Sequence, residues 1–167
     1  MTKILEAAAV ADQVSSAVNE TFQSMFKVSA LESSRIKFLD NKLKADVSGI
    51  VTMSQESAAG LLVISFPKKM ICDLLSKFYG KPFTNLDSTV NMSVGELTNV
   101  IYGVAKKVMN EEGHAFGMAI PSIIVGNQHF VFAHFSGEIT VMEFSTEFGG
   151  FQVYTCLKQR AATQRAA

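Results

Sequence analysis

Apolar positions along the chain follow two periods. Between residues 4 and 27, Val14, Val18, Phe22, Met25 and Phe26 recur at helical spacing, which predicts a first amphipathic helix. The period then shortens to two, and RIKFL (35–39), DVSGIVTMS (46–54) and GLLVISF (60–66) read as strands, the last two joined as a hairpin by the polar turn QESA. Pro67 opens a short helix over KKMICDLLSKF, which Gly80 and Pro82 end. After the loop KPFTNLDST, a long helix runs from about Ser88 or Met92 to Glu112, closed by Gly113. The remainder alternates as strands over 118–125, 130–136, 138–146 and 151–158, with turns at GNQ, SGE and EFGG. Short links between successive strands favour antiparallel pairing, so the expected fold class is α+β, an antiparallel sheet covered by amphipathic helices.

The long helix raises a question about its polar side. Val94, Leu97, Val100, Ile101, Val104 and Val108 share one arc, while Glu96, Asn99, Gly103, Lys106 and Asn110 follow at steps of three and four on the other. Asn and Gly are poor helix residues, Gly by about 1 kcal/mol relative to Ala, and packing does not impose either on an exposed face. A role outside the fold explains them better. Ser93 and Glu96 also have capping-box spacing, a reading that holds only if the helix starts at Ser93.

Composition narrows the classes. At 167 residues the chain suits one domain with a real core, and its 48% hydrophobic and 18% charged residues exclude an intrinsically disordered chain. Fifteen basic residues balance fifteen acidic ones, so no net field draws nucleic acid or an anionic membrane, and neither is expected as a partner. Cys72 and Cys156 lie in apolar stretches without metal-ligand spacing, which favours reduced, packed thiols and a cytoplasmic setting. His114, His129 and His134 lack companion ligands, so no metal site is expected. The start MTKILEAAAVADQ, with a short apolar run and an early acid, is not expected to be a signal peptide, and no 18-residue apolar stretch that could span a membrane occurs. Nucleotide-binding and hydrolase motifs of the P-loop, dinucleotide and G-x-S-x-G types are absent.

The stretch GELTNVIYGVAKK, a proline 22 positions after its asparagine in IPSIIVG, and FSTEFGGFQVYTCL together resemble the CheX members of the CheC/CheX/FliY chemotaxis phosphatases. The specific part is E-x-x-N with the distant proline, here Glu96, Asn99 and Pro121. The resemblance spans roughly residues 10–158, so 1–158 is expected to be a single CheX-like domain and 159–167 a short polar tail. It implies a phosphatase for the aspartyl phosphate of a CheY-type response regulator. In that reading Asn99 orients the attacking water, Glu96 pairs with the regulator's active-site lysine, and the regulator brings Mg²⁺, so the chain needs no cofactor of its own. An amide suits the task because it donates and accepts without placing negative charge beside a phosphoryl group. Gly103 then lets the partner approach closely, Lys106 is a partner-binding candidate, and Pro121 is structural. The relatives also imply a homodimer built by extending a sheet.

Two alternatives stay open. One is a regulator-binding module that sequesters or adapts without hydrolysis. The other concerns a second site, since a faint rhythm of 80 to 90 residues relates Asn19 to Asn99, Val51 to Val141, Gly60 to Gly150 and Val63 to Val153. If it is a pseudo-duplication, the first copy is incomplete: Ser16 replaces the glutamate before Asn19, and no proline follows at the matching distance.

Overall fold

The computed structural model describes residues 4–37, 44–131 and 137–160. Helix α1 spans Ala7–Phe26, followed by strands β1 (Leu31–Lys37), β2 (Lys44–Gln55) and β3 (Ala58–Phe66). Helices α2 (Lys68–Tyr79) and α3 (Ser88–Glu111) come next, then β4 (Ser122–Phe130), β5 (Glu138–Thr146) and β6 (Gly149–Gln159). The six strands form one sheet in the order β1-β5-β6-β3-β2-β4, and every adjacent pair is antiparallel. Exchanging β1 with β4, β2 with β5 and β3 with β6 reproduces this order reversed. Each half is thus one helix followed by three strands, with α2 inserted between them, and Asn19 and Asn99 lie on equivalent helices.

The main core lies between the helices and one face of the sheet. Val14, Val18 and Phe22 of α1 and Val90, Leu97 and Ile101 of α3 pack there with Val47, Leu62, Ile64, Phe66, Val153 and Phe151. Alternation sends Val63, Val141, Tyr154 and Cys156 to the opposite face, where they form a second buried cluster with Val131 and Ile139. Both cysteines are buried and free.

Local signals set most boundaries. Pro67 precedes α2 as its N-cap and Gly80 closes it at φ 67°. Since Pro67 offers no capping side chain, Asp46 of β2 does so from outside, accepting the Lys68 N–H at 2.8 Å. The α3 N-cap is Asp87, whose carboxylate accepts the Val90 N–H at 2.9 Å. That start places Ser93 inside the helix, with its hydroxyl donating to the Thr89 carbonyl, so the capping-box reading of Ser93 and Glu96 falls.

Three strand expectations need correction. The first strand lies at 31–37 instead of 35–39; residues 38 and 39 are outside the described residues. The stretch 118–121 is irregular, and Pro121 stands directly before β4. The expected turn GNQ (126–128) is a bulge within β4: Val47 faces Val125 and Ala45 faces His129, so one residue of β2 lies opposite three of β4. Gln128 takes a left-handed φ of 47°, and its N–H donates to Asp46 at 3.1 Å. The two N–H donors, that of Lys68 foremost, lower the Asp46 pKa from its ordinary value. Most of the strand expected at 130–136 lies outside the described residues. At the other end β6 continues to Gln159, and Arg160 donates to the Gln55 carbonyl and Ser54 hydroxyl, both at 3.1 Å, so the first two residues of the segment read as tail pack on the domain.

Candidate functional site

Helix α3 carries the candidate residues, and its rotation decides what they face. The expected arc is only partly buried: Val94, Leu97 and Ile101 are, but Val100, Val104 and Val108 are half-exposed, while Thr98, Tyr102, Ala105 and Met109 are buried instead. Thr98 meets the sheet at Gly49, where an added Cβ would come within 1.9 Å of the threonine hydroxyl. The Thr98 hydroxyl donates to the Val94 carbonyl at 2.8 Å and is therefore satisfied in the interface. A small residue thus lets helix and sheet approach closely, a contact that a wheel of apolar residues does not register.

With that side locked, Glu96 and Asn99 are exposed one turn apart, and neither side chain bonds to any described residue. At i, i+3 spacing their Cβ atoms are about 5–6 Å apart, close enough to act on one group. Gly103, the next turn along, is half-exposed, and an added Cβ there would meet nothing within 4 Å. Internal packing gives no reason for a glycine at 103. Lys106 is half-exposed and Lys107 exposed, and neither forms an ion pair among the described residues.

Asn110 ends the stripe differently. Its carbonyl accepts the Phe116 N–H at 2.8 Å and its amide donates to the Phe116 carbonyl at 3.1 Å. This latch turns the chain back along α3. Tyr102 donates its hydroxyl to the Gly117 carbonyl at 2.8 Å, and Ile123 meets Gly95, whose added Cβ would lie 3.4 Å from it. Burial raises the Tyr102 pKa to about 12, so the phenol remains a donor at neutral pH.

These contacts explain the 22-residue spacing to Pro121. From Asn110 back to Asn99 is about 16 Å of helix at 1.5 Å per residue. The five residues from Phe116 on to Pro121 reach up to about 16 Å at 3.3 Å per residue. The return segment therefore brings Pro121 level with Asn99. The same arithmetic over Gly95 and Ile123 gives about 22 and 23 Å, matching their observed contact. Sequence reasoning missed what this segment presents: Met118 is 93% and Ile120 91% exposed, and Met92, one turn before Glu96 on the stripe, is 75% exposed. The only available signal was charge, because residues 114–130 contain no Asp, Glu, Lys or Arg.

His114 is buried against Phe116, and His129 sits 2.9 Å from the Ser48 hydroxyl. His134 lies outside the described residues. Among the described residues no cluster of His, Cys, Asp and Glu has the makings of a metal site. A cleft of about 580 Å³ lined by Ser65, Glu143 and Gln152 includes no residue of α3. The candidate pair lies on an open helix surface and not in this cleft. No helix among the described residues is long and apolar enough to cross a membrane.

Comparison with known proteins identifies a family and related folds. Residues 47–144 match the family described as chemotaxis phosphatase CheX. A CheC-like superfamily protein from Shewanella sp. PV-4 is 26% identical, with a TM-score of 0.86 over 92% of this chain and 99% of that one. Chemotaxis protein CheX from Desulfovibrio desulfuricans is 25% identical, with a TM-score of 0.81 over 89% of this chain and 99% of that one. The same fold occurs in the CheX–CheY–BeF3–Mg²⁺ complex from Borrelia burgdorferi, at 18% identity and a TM-score of 0.75 over 89% of this chain and 97% of that one. No curated protein sequence matches the chain.

Proposed function

The chain belongs to the chemotaxis phosphatase CheX family, and on that premise we propose that it hydrolyses the aspartyl phosphate of a CheY-type response regulator at Glu96 and Asn99. The observation that carries the proposal is the pair itself: two polar side chains on one face of a rigid helix, solvent-exposed and without an internal partner.

An acyl phosphate is already reactive, so the enzyme's contribution is placement. Asn99 accepts from and donates to a water, holding it in line with the phosphoryl group while adding no negative charge. Glu96 pairs with the regulator's active-site lysine and fixes the docking register. Mg²⁺ comes with the regulator, where it neutralises charge on the departing phosphoryl group. Gly103 keeps the helix surface low where the partner seats, and Lys106 borders the contact. The site works from the cytoplasm, where receiver domains reside. The protein is a homodimer joined through an exposed sheet edge, as β4 offers; light scattering that finds a monomer at micromolar concentration overturns this part.

The test is phosphate release from phosphorylated response regulators of the same cell. Asn99→Ala is expected to abolish release while retaining regulator binding, because a water-orienting group acts mainly in the transition state. Glu96→Ala is expected to weaken binding and rate together. Unchanged release by Asn99→Ala refutes the mechanism. Binding by the parent protein without acceleration selects the adaptor reading instead.

A further inference from the structure

We propose that Met92, Met118 and Ile120 form an apolar rim around the Glu96–Asn99 pair and dock the regulator's receiver domain beside its phosphorylated aspartate. The inference rests on the reading of α3 as the regulator-binding surface and adds the chemistry of the contact. Three observations lead to it. The side chains are among the most exposed large apolar groups of the chain, at 75, 93 and 91%. They flank the pair: Met92 stands one turn before Glu96 on the same stripe, and the return segment tied by Asn110–Phe116, Tyr102–Gly117 and Gly95–Ile123 runs back along α3 with Met118 near the level of Lys106 and Ile120 within about one residue's rise of Asn99. The segment's sequence is uncharged over 114–130, so its surface attracts an apolar partner and not a charged one.

The occupant follows from size. A standard interface covers about 800 Å² per partner, a disc of about 16 Å radius. Met92 lies about 10 Å along the helix from Asn99 and Ile120 is level with it. A receiver domain that delivers an aspartyl phosphate to Asn99 therefore covers the rim as it does so. Burying three flexible apolar side chains around a polar pair gives an interface with a desolvated surround, in which the Glu96 ion pair and the in-line water are shielded from bulk solvent. The partner's matching surface is apolar, adjacent to its phosphorylation site.

The experiment measures both turnover and binding for Met92→Asp and Ile120→Asp, the second with regulator activated by beryllofluoride and Mg²⁺ so that no catalysis is needed. Both positions are solvent-exposed, so unchanged thermal unfolding is expected and checks that the fold is intact. Each variant is expected to raise KM for the phosphorylated regulator and Kd for the beryllofluoride-activated form at least tenfold, with kcat within twofold of the parent. Unchanged KM and Kd overturn the rim. So does a variant that alters the oligomeric state by light scattering without altering Kd, which assigns the surface to a second copy of the chain. Failure of the parent to release phosphate sinks the phosphatase reading alone, because the Kd comparison still decides the rim.

Discussion

Gly103→Ala is the substitution whose two effects have opposite signs. Gly103 lies well inside the 24 residues of α3, and the added methyl would meet nothing within 4 Å in the free protein. Helix propensity then acts alone and favours alanine by about 1 kcal/mol. In a domain of this size that raises Tm by roughly 2–4 °C. If the regulator seats against the helix at this turn, the same methyl intrudes on a packed contact, and overpacking costs about 1–3 kcal/mol. The expected result is a more stable protein whose KM for phosphorylated regulator is raised about tenfold, each tenfold corresponding to about 1.4 kcal/mol. Thermal unfolding of the free chain and steady-state phosphate release measure the two effects separately. Higher stability with unchanged KM removes Gly103 from the interface. Lower stability shows that the helix needs glycine for its own structure and refutes the argument at its first step.

The equivalent helix α1 is expected to be inactive. Asn19→Ala should leave turnover within about twofold of the parent, because Ser16 replaces the glutamate and Asp12, in the place equivalent to Met92, is ion-paired with Arg35; half-activity in each of Asn19→Ala and Asn99→Ala, with only the double variant dead, would show two sites instead. Gly49→Ala drives a methyl into the Thr98 hydroxyl, so chemical denaturation should show a loss of about 1–3 kcal/mol, partly restored by adding Thr98→Ala, and additive effects would deny the contact. Asp46→Ala removes the acceptor for the Lys68 and Gln128 N–H groups and should cost about 1 kcal/mol at neutral pH. The folded-state pKa of Asp46 lies below its unfolded value, so this stabilisation is present above the unfolded pKa and disappears as pH falls through the folded one. Stability curves of parent and variant should therefore converge in acid, and a constant gap would show that the carboxylate's charge is not what matters.

Much of the local structure was legible in the residues themselves. Strand β5 occupies the expected 138–146, Gly80 ends α2 as its residue type suggests, and α3 begins at Ser88, one of the two expected starts, with Asp87 as its cap, because capping and backbone permissiveness act within a few positions. Asn99 and Gly103 were identifiable as unusual for the same reason, since exposed helix positions carry a residue preference that they break, whereas Glu96 breaks none and was marked by its place in the E-x-x-N motif. Asn110 belonged to the same stripe by spacing, yet it latches the return segment, a duty that depends on a partner six residues beyond and outside the helix. Nor did the wheel of α3 reveal how far the buried face turns toward Thr98 and Tyr102, since a close approach through Gly49 is a property of two elements at once.

By itself, then, the chain's sequence determined most helix and strand positions and marked a polar stripe on α3 whose Asn99 and Gly103 local preference does not explain. These properties depend on period and on local backbone preference, which operate over a few residues. Only the tertiary structure decided the strand order, the bulge that replaces a turn in β4, and the path that brings Pro121 level with Asn99 and places Met118 and Ile120 at their side. Those depend on pairings between residues far apart in the chain, where many registers satisfy the same hydrophobic alternation and packing of the whole domain selects one.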